Sequence, residues 1–296
     1  MKYLITGGAG FIGSHIARAL LQQGADVRIF DNFSSGKREN LSGLDVEVIE
    51  GDLRDASRVT EAVRGVNVIF HEAAFVSVAE SMEKPQECFD VNVTGTSILF
   101  ESARRAGVNR IVIASSAAVY GDTTAMPLVE DTPLKQLSPY ATSKRVDEMY
   151  AELFTHQFGL EVAVLRYFNV YGPRQRPDSM YAAAVPIFIR RMLDNKPITV
   201  YGDGGQSRDL VNVRDVVQAN LLASTHPAAP DKSSTSAPAS RLVCLTCSIF
   251  STKFSPTPPN MSTLNHAPAT STAPSAHPKK PWIFSASNLR SHWPMV

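Results

Sequence analysis

Cysteine is scarce: Cys88, Cys244 and Cys247 are the only three in 296 residues. That is too few for a disulfide scaffold and agrees with a reducing compartment. Cys244 and Cys247 form a C-x-x-C, but no second pair and no histidine pair follows at ligand spacing, so no metal site is expected. An excess of one charge is also missing. With 29 basic and 28 acidic residues the net charge is +1, and nothing global attracts nucleic acid or an anionic membrane. Long apolar runs are absent too. The opening "MKYLITGGAGFIG" breaks at glycines after a few apolar residues, so neither signal peptide nor membrane span is expected and cytoplasmic is the default location. Beyond Asp231 acidic residues disappear altogether, and the chain turns to Ser, Thr, Pro and Ala.

What is present is a hydrophobic content of 44%, enough to fill the core of one large α/β domain with a small second lobe. "KYLIT" reads as a short strand that stops at "GGAG". "FIGSHIARALLQQG" follows with Phe11, Ile12, Ile16, Ala19 and Leu20 at helical spacing. Gly7, Gly10 and Gly13 suit a tight turn in which backbone approaches a pyrophosphate at a helix N-terminus. "DVRIFDN" is a second strand ending in Asp31, roughly 18 residues past the last glycine, where a carboxylate can hold the ribose hydroxyls of NAD. Asp31 also repels a 2′-phosphate, which favours NAD over NADP, although Lys37 and Arg38 lie close enough in sequence to pair with one.

"VEVIEGDL", "NVIFHEAA" and "RIVIASSA" read as buried parallel strands, and "ASRVTEAVRG" and "QECFDVNVTGTSILFESARRAG" as helices between them. The expected architecture is a doubly wound parallel sheet, the Rossmann arrangement, with polar or small residues at the strand ends where such sheets bind ligands. Asp52 also fits turn capping, and His71 fits packing better than catalysis. Farther on, "SPYATSKRVDEMYAELFTHQFG" reads as a helix with Tyr140 and Lys144 four residues apart, on one face. A phenol is a poor base at neutral pH, but an ammonium one turn away favours its phenolate and lets it exchange a proton with a hydroxyl.

The stretches "TGGAGFIG", "DNFSSGKREN", "GDLRD", "HEAAFVSVAES", "NVTGT", "SSAAVYGD", "SPYATSK", "RYFNVYGPRQ" and "YGDGGQSRDLVNVRDV" together resemble the extended short-chain dehydrogenase/reductases, the NAD-dependent epimerase/dehydratase family. Within it they are most similar to the UDP-hexose 4-epimerases. The resemblance covers residues 1 to about 229. It implies that Gly7, Gly10, Phe11, Ile12, Gly13, Asp31, Asn32, Asp52, Leu53, Ala73, Ala74, Asn92 and Tyr167, with Tyr140 and Lys144, contact NAD. It implies a catalytic set of Ser116, Tyr140 and Lys144, and UDP-sugar contacts from Ser116, Asn169 and Arg208. The bland alternatives are a turn asparagine at 169 and a surface ion pair at 208. The expected reaction is oxidation at the sugar 4-position, then reduction from the opposite face. Dehydratase relatives use an Asp-Glu pair beside the catalytic hydroxyl, where this chain has Ala117 and Ala118, so epimerisation is favoured over elimination. A non-catalytic NAD-binding protein is a further alternative. Helices at 86–107 and 139–158 are expected to pair across a two-fold axis in a homodimer.

The expected organisation is an NAD-binding domain over 1–170, a partial nucleotide-sugar lobe over 171–230, and a tail over 231–296. The tail's composition fits disorder. A second reading is a frame slip: restoring one base after the codon of Pro230 permits Pro-Gly-Gln-Val-Phe-Asn-Ile-Gly-Thr-Gly, a strand and glycine turn like the family's continuation. On that reading no residue after Pro230 carries a role, and the printed chain is catalytically impaired.

Overall fold

The computed structural model describes residues 1–176, 184–197, 209–225 and 242–243. Arg208, and the tail apart from its two-residue strand, lie outside the described residues. Six parallel strands form the main sheet: β1 (Lys2–Thr6), β2 (Asp26–Asp31), β3 (Glu47–Glu50), β4 (Val68–His71), β5 (Arg110–Ser116) and β6 (Glu161–Tyr167). Their spatial order is β3-β2-β1-β4-β5-β6, the doubly wound order in which the direction of strand addition reverses between β1 and β4 and opens a crevice at the strands' C-terminal ends. Two shorter strands, β7 (Asn169–Tyr171) and β8 (Leu210–Asn212), pair in a separate two-stranded sheet. At the free edge of β6, β9 (Leu242–Val243) adds in parallel register.

Helices cover both faces and divide the core into two layers. On one face α2 (Ala56–Val63), α5 (Gly95–Ala106) and α6 (Pro139–Phe158) pack over Leu4, Ile69, Ile111 and Val164. On the other, α1 (Phe11–Gln22) and α8 (Val213–Thr225) pack over Ile5, Phe70, Val112 and Leu165. Alternate residues of each strand therefore feed opposite layers, as the period of two requires. Helix α7 (Ala184–Leu193) belongs to the small lobe's sequence. Among the described residues no helix is long and apolar enough to cross a membrane.

Local chemistry sets the helix ends that matter for the site. Ser138 caps α6 by accepting from the Ala141 amide at 3.1 Å, Pro139 opens the first turn, and Gly159 closes the helix at φ 70°. The region read as one helix over 86–107 is instead α4 (Pro85–Phe89), a π-helical turn over Asp90–Thr94, and then α5. A short helix α3 (Val78–Glu83) precedes it, capped by Ser77. The expectation of a fully buried strand at "VEVIEGDL" is corrected as well. β3 is the sheet's edge, only Glu47–Glu50 are extended, and Ile49 alone among them is buried.

Phe100 is fully buried and packs edge-on against Phe154 with ring centroids 5.4 Å apart. Phe100→Ala is expected to cost about 3–5 kcal/mol, seen as a lower urea midpoint at unchanged slope.

Candidate active site

The glycine turn lies at the β1/β4 crevice and is crowded in a way that admits no side chain. Gly7 has φ +67°, and a Cβ there would lie 2.7 Å from the Ala73 amide nitrogen. A Cβ on Gly13 would lie 2.4 Å from the Gly7 carbonyl oxygen, so α1 closes directly on the turn. No side chain caps the start of α1, and its first turn holds no acidic residue. Its amides remain for an anion, and the helix dipole favours one. Asp31, at the end of β2, is buried and accepts from the Ala9 amide at 2.9 Å and the Phe33 amide at 2.8 Å. Burial pushes its carboxyl above the ordinary range, and those two amides pull it back. Two lone-pair directions remain for a diol. This cradle fits a dinucleotide.

Asp52 and Asn32 stand side by side, with the Asn32 amide donating to Asp52 at 2.9 Å. Arg54 grips Asp52 through two N–H groups at 2.8 Å each and holds its carboxyl well below the usual carboxylate range. Leu53 is buried against Gly95. Ala73, followed by Ala74, lines the crevice beside Gly7, and its amide donates to the Thr6 hydroxyl at 3.3 Å. Asn92, in the π-helical turn, spends its amide on the protein. Its oxygen accepts from the Phe75 amide at 2.7 Å, and its nitrogen donates to the Ser143 hydroxyl at 2.8 Å. It thereby pins the loop after β4 to α6. Phe11 and Ile12 begin α1 and pack on the α1/α8 core layer. Arg38, near Asp31 in sequence, is paired with Glu50 and lies over the Phe33 ring.

The candidate chemistry-bearing side chains lie on β5, α6 and β6. Ser116 ends β5, and its hydroxyl oxygen accepts from the Ala118 amide at 3.1 Å, leaving its own O–H to donate. Tyr140 lies half-buried in the first turn of α6, and Lys144 follows one turn later, buried. Tyr167 ends β6. Its hydroxyl donates to Glu72 at 2.7 Å and accepts from the Asn220 amide at 2.6 Å. Burial, with Glu72 adding to it, pushes the Tyr167 phenol well up. Burial also pushes Glu72 up to about 7, against the pull of Tyr167 and Lys144. His71 is enclosed between the hydroxyls of Thr6, 2.7 Å away, and Thr96, 2.9 Å away. Burial, with Lys144 nearby, lowers its pKa to about 3, so the ring is neutral. Asn169 is exposed at the start of β7 and donates to the Asp209 carbonyl at 3.2 Å, away from this cluster.

Several polar groups under the site escape sequence reasoning. Arg166, on β6 beside Tyr167, is 1% exposed and makes a bidentate pair with Glu148 of α6 at 2.8 and 2.9 Å. Its third contact is the Tyr120 hydroxyl at 2.9 Å, and Ser115 donates to Glu148 at 2.6 Å. Burial opposes ionisation of Glu148, but Arg166, Ser115 and Arg145 together hold its carboxyl below the ordinary range. The available signals are a lone arginine inside the apolar run "EVAVLRYF" and a glutamate one turn past Lys144.

The model of the NAD dependent epimerase/dehydratase family matches residues 3–235. The UDP-glucose 4-epimerase of Mycolicibacterium smegmatis is 40% identical over 229 residues, covering 75% of this chain and 73% of that protein. Among solved structures, the Thermus thermophilus UDP-glucose 4-epimerase in complex with NAD is 42% identical with a TM-score of 0.72, covering 76% of this chain and 75% of that one. A dTDP-glucose 4,6-dehydratase from Streptomyces venezuelae, solved with NAD, is 33% identical with a TM-score of 0.72, covering 82% and 75%.

Arg166→Met leaves Glu148 buried without its main counter-charge. It is expected to cost about 3–5 kcal/mol in urea unfolding, with much of the loss recovered by adding Glu148→Leu.

Proposed function

The chain belongs to the NAD-dependent epimerase/dehydratase family, with NAD as its cofactor, and we propose that it interconverts UDP-hexoses epimeric at C4. The pair is UDP-glucose with UDP-galactose, or its N-acetyl counterpart. The observation that carries this reading is the sequence from Ser116 to Tyr120: after the serine come Ala117 and Ala118, which open a 3-10 turn. Neither has a group able to give or take a proton. Elimination of water needs an additional acid and base beside the reacting hydroxyl. With Ser116, Tyr140 and Lys144 as the reacting groups and Glu72 committed to Tyr167, the chemistry on this reading is removal and return of one proton at one oxygen.

On this reading Gly7, Gly10 and Gly13 hold the cofactor's pyrophosphate against the start of α1, and Asp31 holds its ribose. NAD, when bound, supplies the redox capacity at the sugar C4. Tyr140 takes the C4 hydroxyl proton, and Ser116 donates a hydrogen bond to the same oxygen. Lys144 supplies the neighbouring positive charge that favours the phenolate. Loss of that proton, with the C4 hydride passing to the bound cofactor, would give a bound 4-keto sugar that turns over and would regain the hydride on its other face with the proton from Tyr140. Asn169 and Arg208 are assigned to the substrate's nucleotide end, with Arg208 suited to a diphosphate.

We further propose a homodimer through α4 and α6, where Phe89, Met149 and Leu153 are each about half exposed and depart from a solvated helix face. The Ser/Thr/Pro-rich sequence after Pro230 is assigned to a frame slip. Sequencing the source DNA would overturn that assignment if no in-frame continuation like the family's emerges.

Incubation with UDP-glucose, UDP-galactose and their N-acetyl forms is expected to give the C4 epimer, with turnover depressed in the chain as it stands and raised once the frame is restored. A keto-deoxy product would move the reaction to dehydration. Tyr140→Phe is expected to lower turnover by roughly 10²–10⁴-fold while NAD still binds. Sedimentation is expected to show twice the 32.2 kDa chain mass, and Met149→Glu with Leu153→Glu to yield monomer.

A further inference from the structure

Lys144 is 3% exposed, and its recorded counter-charge is Asp147, three residues on in α6 and 2% exposed, with Oδ2 3.5 Å from the ammonium nitrogen. That oxygen has no hydrogen-bond partner, and the nearby Thr96 hydroxyl of α5 adds to the pull of Lys144 on the carboxyl. A row of polar contacts lies behind Thr96. The Ala73 amide donates to Thr6 Oγ1, Thr6 Oγ1 lies 2.7 Å from His71 Nδ1, and His71 Nε2 lies 2.9 Å from Thr96 Oγ1. A neutral imidazole has one donor and one acceptor, so it can serve both hydroxyls.

We propose that Asp147 is a positioning residue that fixes the Lys144 ammonium in place and keeps it charged, through the buried ion pair between them. A buried ion pair is weak evidence for stability, because desolvation offsets the attraction. What this pair does supply is direction. Asp147 holds the ammonium from α6 itself, so the charge stays one turn past Tyr140. Other titratable groups also face the pair: Glu148 on the same helix, Glu72 and His71 from the β4 end, and Cys88 from α4. His71 is neutral, and Glu72 is committed to Tyr167. Burial pushes Asp147 up to about 7 against the pull of Lys144 and Thr96, so it carries its full charge on the alkaline side. Tyr140 lies seven residues before Asp147, about 10 Å along the helix. At that separation the direct effect of Asp147 on the phenol is roughly a third of its effect on the ammonium.

This inference rests on the roles proposed above for Tyr140 and Lys144, and Asp147→Asn tests it without changing side-chain size. In that variant the alkaline limb of the kcat profile is expected to move down by about one pH unit or more, a tenfold change in the ionisation equilibrium. KM for the UDP-hexose is expected to stay within about twofold, since the lost interaction acts on the reacting proton. Asp147→Glu is expected to restore most of the profile. Thr96→Val, which removes the hydroxyl, moves the limb the same way by less. NAD affinity, measured by calorimetry across the same pH range, is expected to weaken in Asp147→Asn above neutrality and needs no turnover. Kinetic and affinity profiles that superpose on the parent's would overturn the proposal, as would a loss of thermal stability with both profiles unmoved. A parent that binds NAD but converts no UDP-hexose would sink the functional reading instead, while the affinity profile still decides the role of Asp147.

Discussion

A guanidinium buried at the C-terminal end of β6 has few permitted surroundings. Arg166 stays charged at any physiological pH, so it must meet an anion and fill its remaining donors. Glu148 supplies the anion in bidentate geometry, and the Tyr120 hydroxyl and the Glu130 carbonyl take further N–H groups. The consequence reaches beyond the pair. Tyr140, Lys144 and Glu148 stand at i, i+4 and i+8 on α6, a single stripe. Locking Glu148 to β6 sets the rotation of that helix about its axis, and hence the direction in which the residues one and two turns earlier face. Ser115 binds the same carboxylate, which fixes the end of β5 and with it Ser116. The two elements bearing the candidate side chains Ser116, Tyr140 and Lys144 are thus referenced to one buried ion pair, whose value lies in geometry more than in stability.

The cofactor cradle follows a different logic, built on the absence of atoms. Gly7 and Gly13 leave the backbone of β1, β4 and α1 in contact, and the uncapped start of α1 leaves its amides unspent. Asp31 then closes the turn from the side through the Ala9 amide. A substitution in the cradle fails by collision, whereas one in the Arg166 network fails by leaving charge unpaired. The cradle closes at the β4 end, where a Cβ on Gly7 would collide with Ala73.

Much of this was legible in the sequence because it is local. The glycine spacing, the acid at the end of the second strand, the tyrosine and lysine one turn apart, and the alternation of strands and helices are all short-range patterns, and the doubly wound sheet follows from them. What escaped is set by distant partners. Asp147 and Glu148 stand in the polar run "KRVDEMYAE", yet both are buried, Glu148 against Arg166 of β6 and Asp147 against Lys144. The exposure of β3 could not be read from its own residues, since it depends on which strand ends the sheet. The π-helical turn places Asn92 against Ser143 and Phe75, contacts 51 and 17 residues away in sequence. The pairing of β7 with β8 joins two three-residue strands that carry almost no periodic signal.

The distribution of these groups also bears on how one scaffold hosts several reactions. The cradle, the Lys144 cluster and the Arg166 network lie in or behind the sheet, and they can serve any chemistry that begins by oxidising a hydroxyl next to the cofactor. None of their buried groups distinguishes epimerisation from elimination. That choice needs groups on the open side of the crevice, where the chain passes from Ser116 into the 3-10 turn and where β7 and β8 begin the small lobe. At the first of these places stand Ala117 and Ala118, neither of which can give or take a proton. On the proposed reading this favours reduction of an oxidised sugar over loss of water.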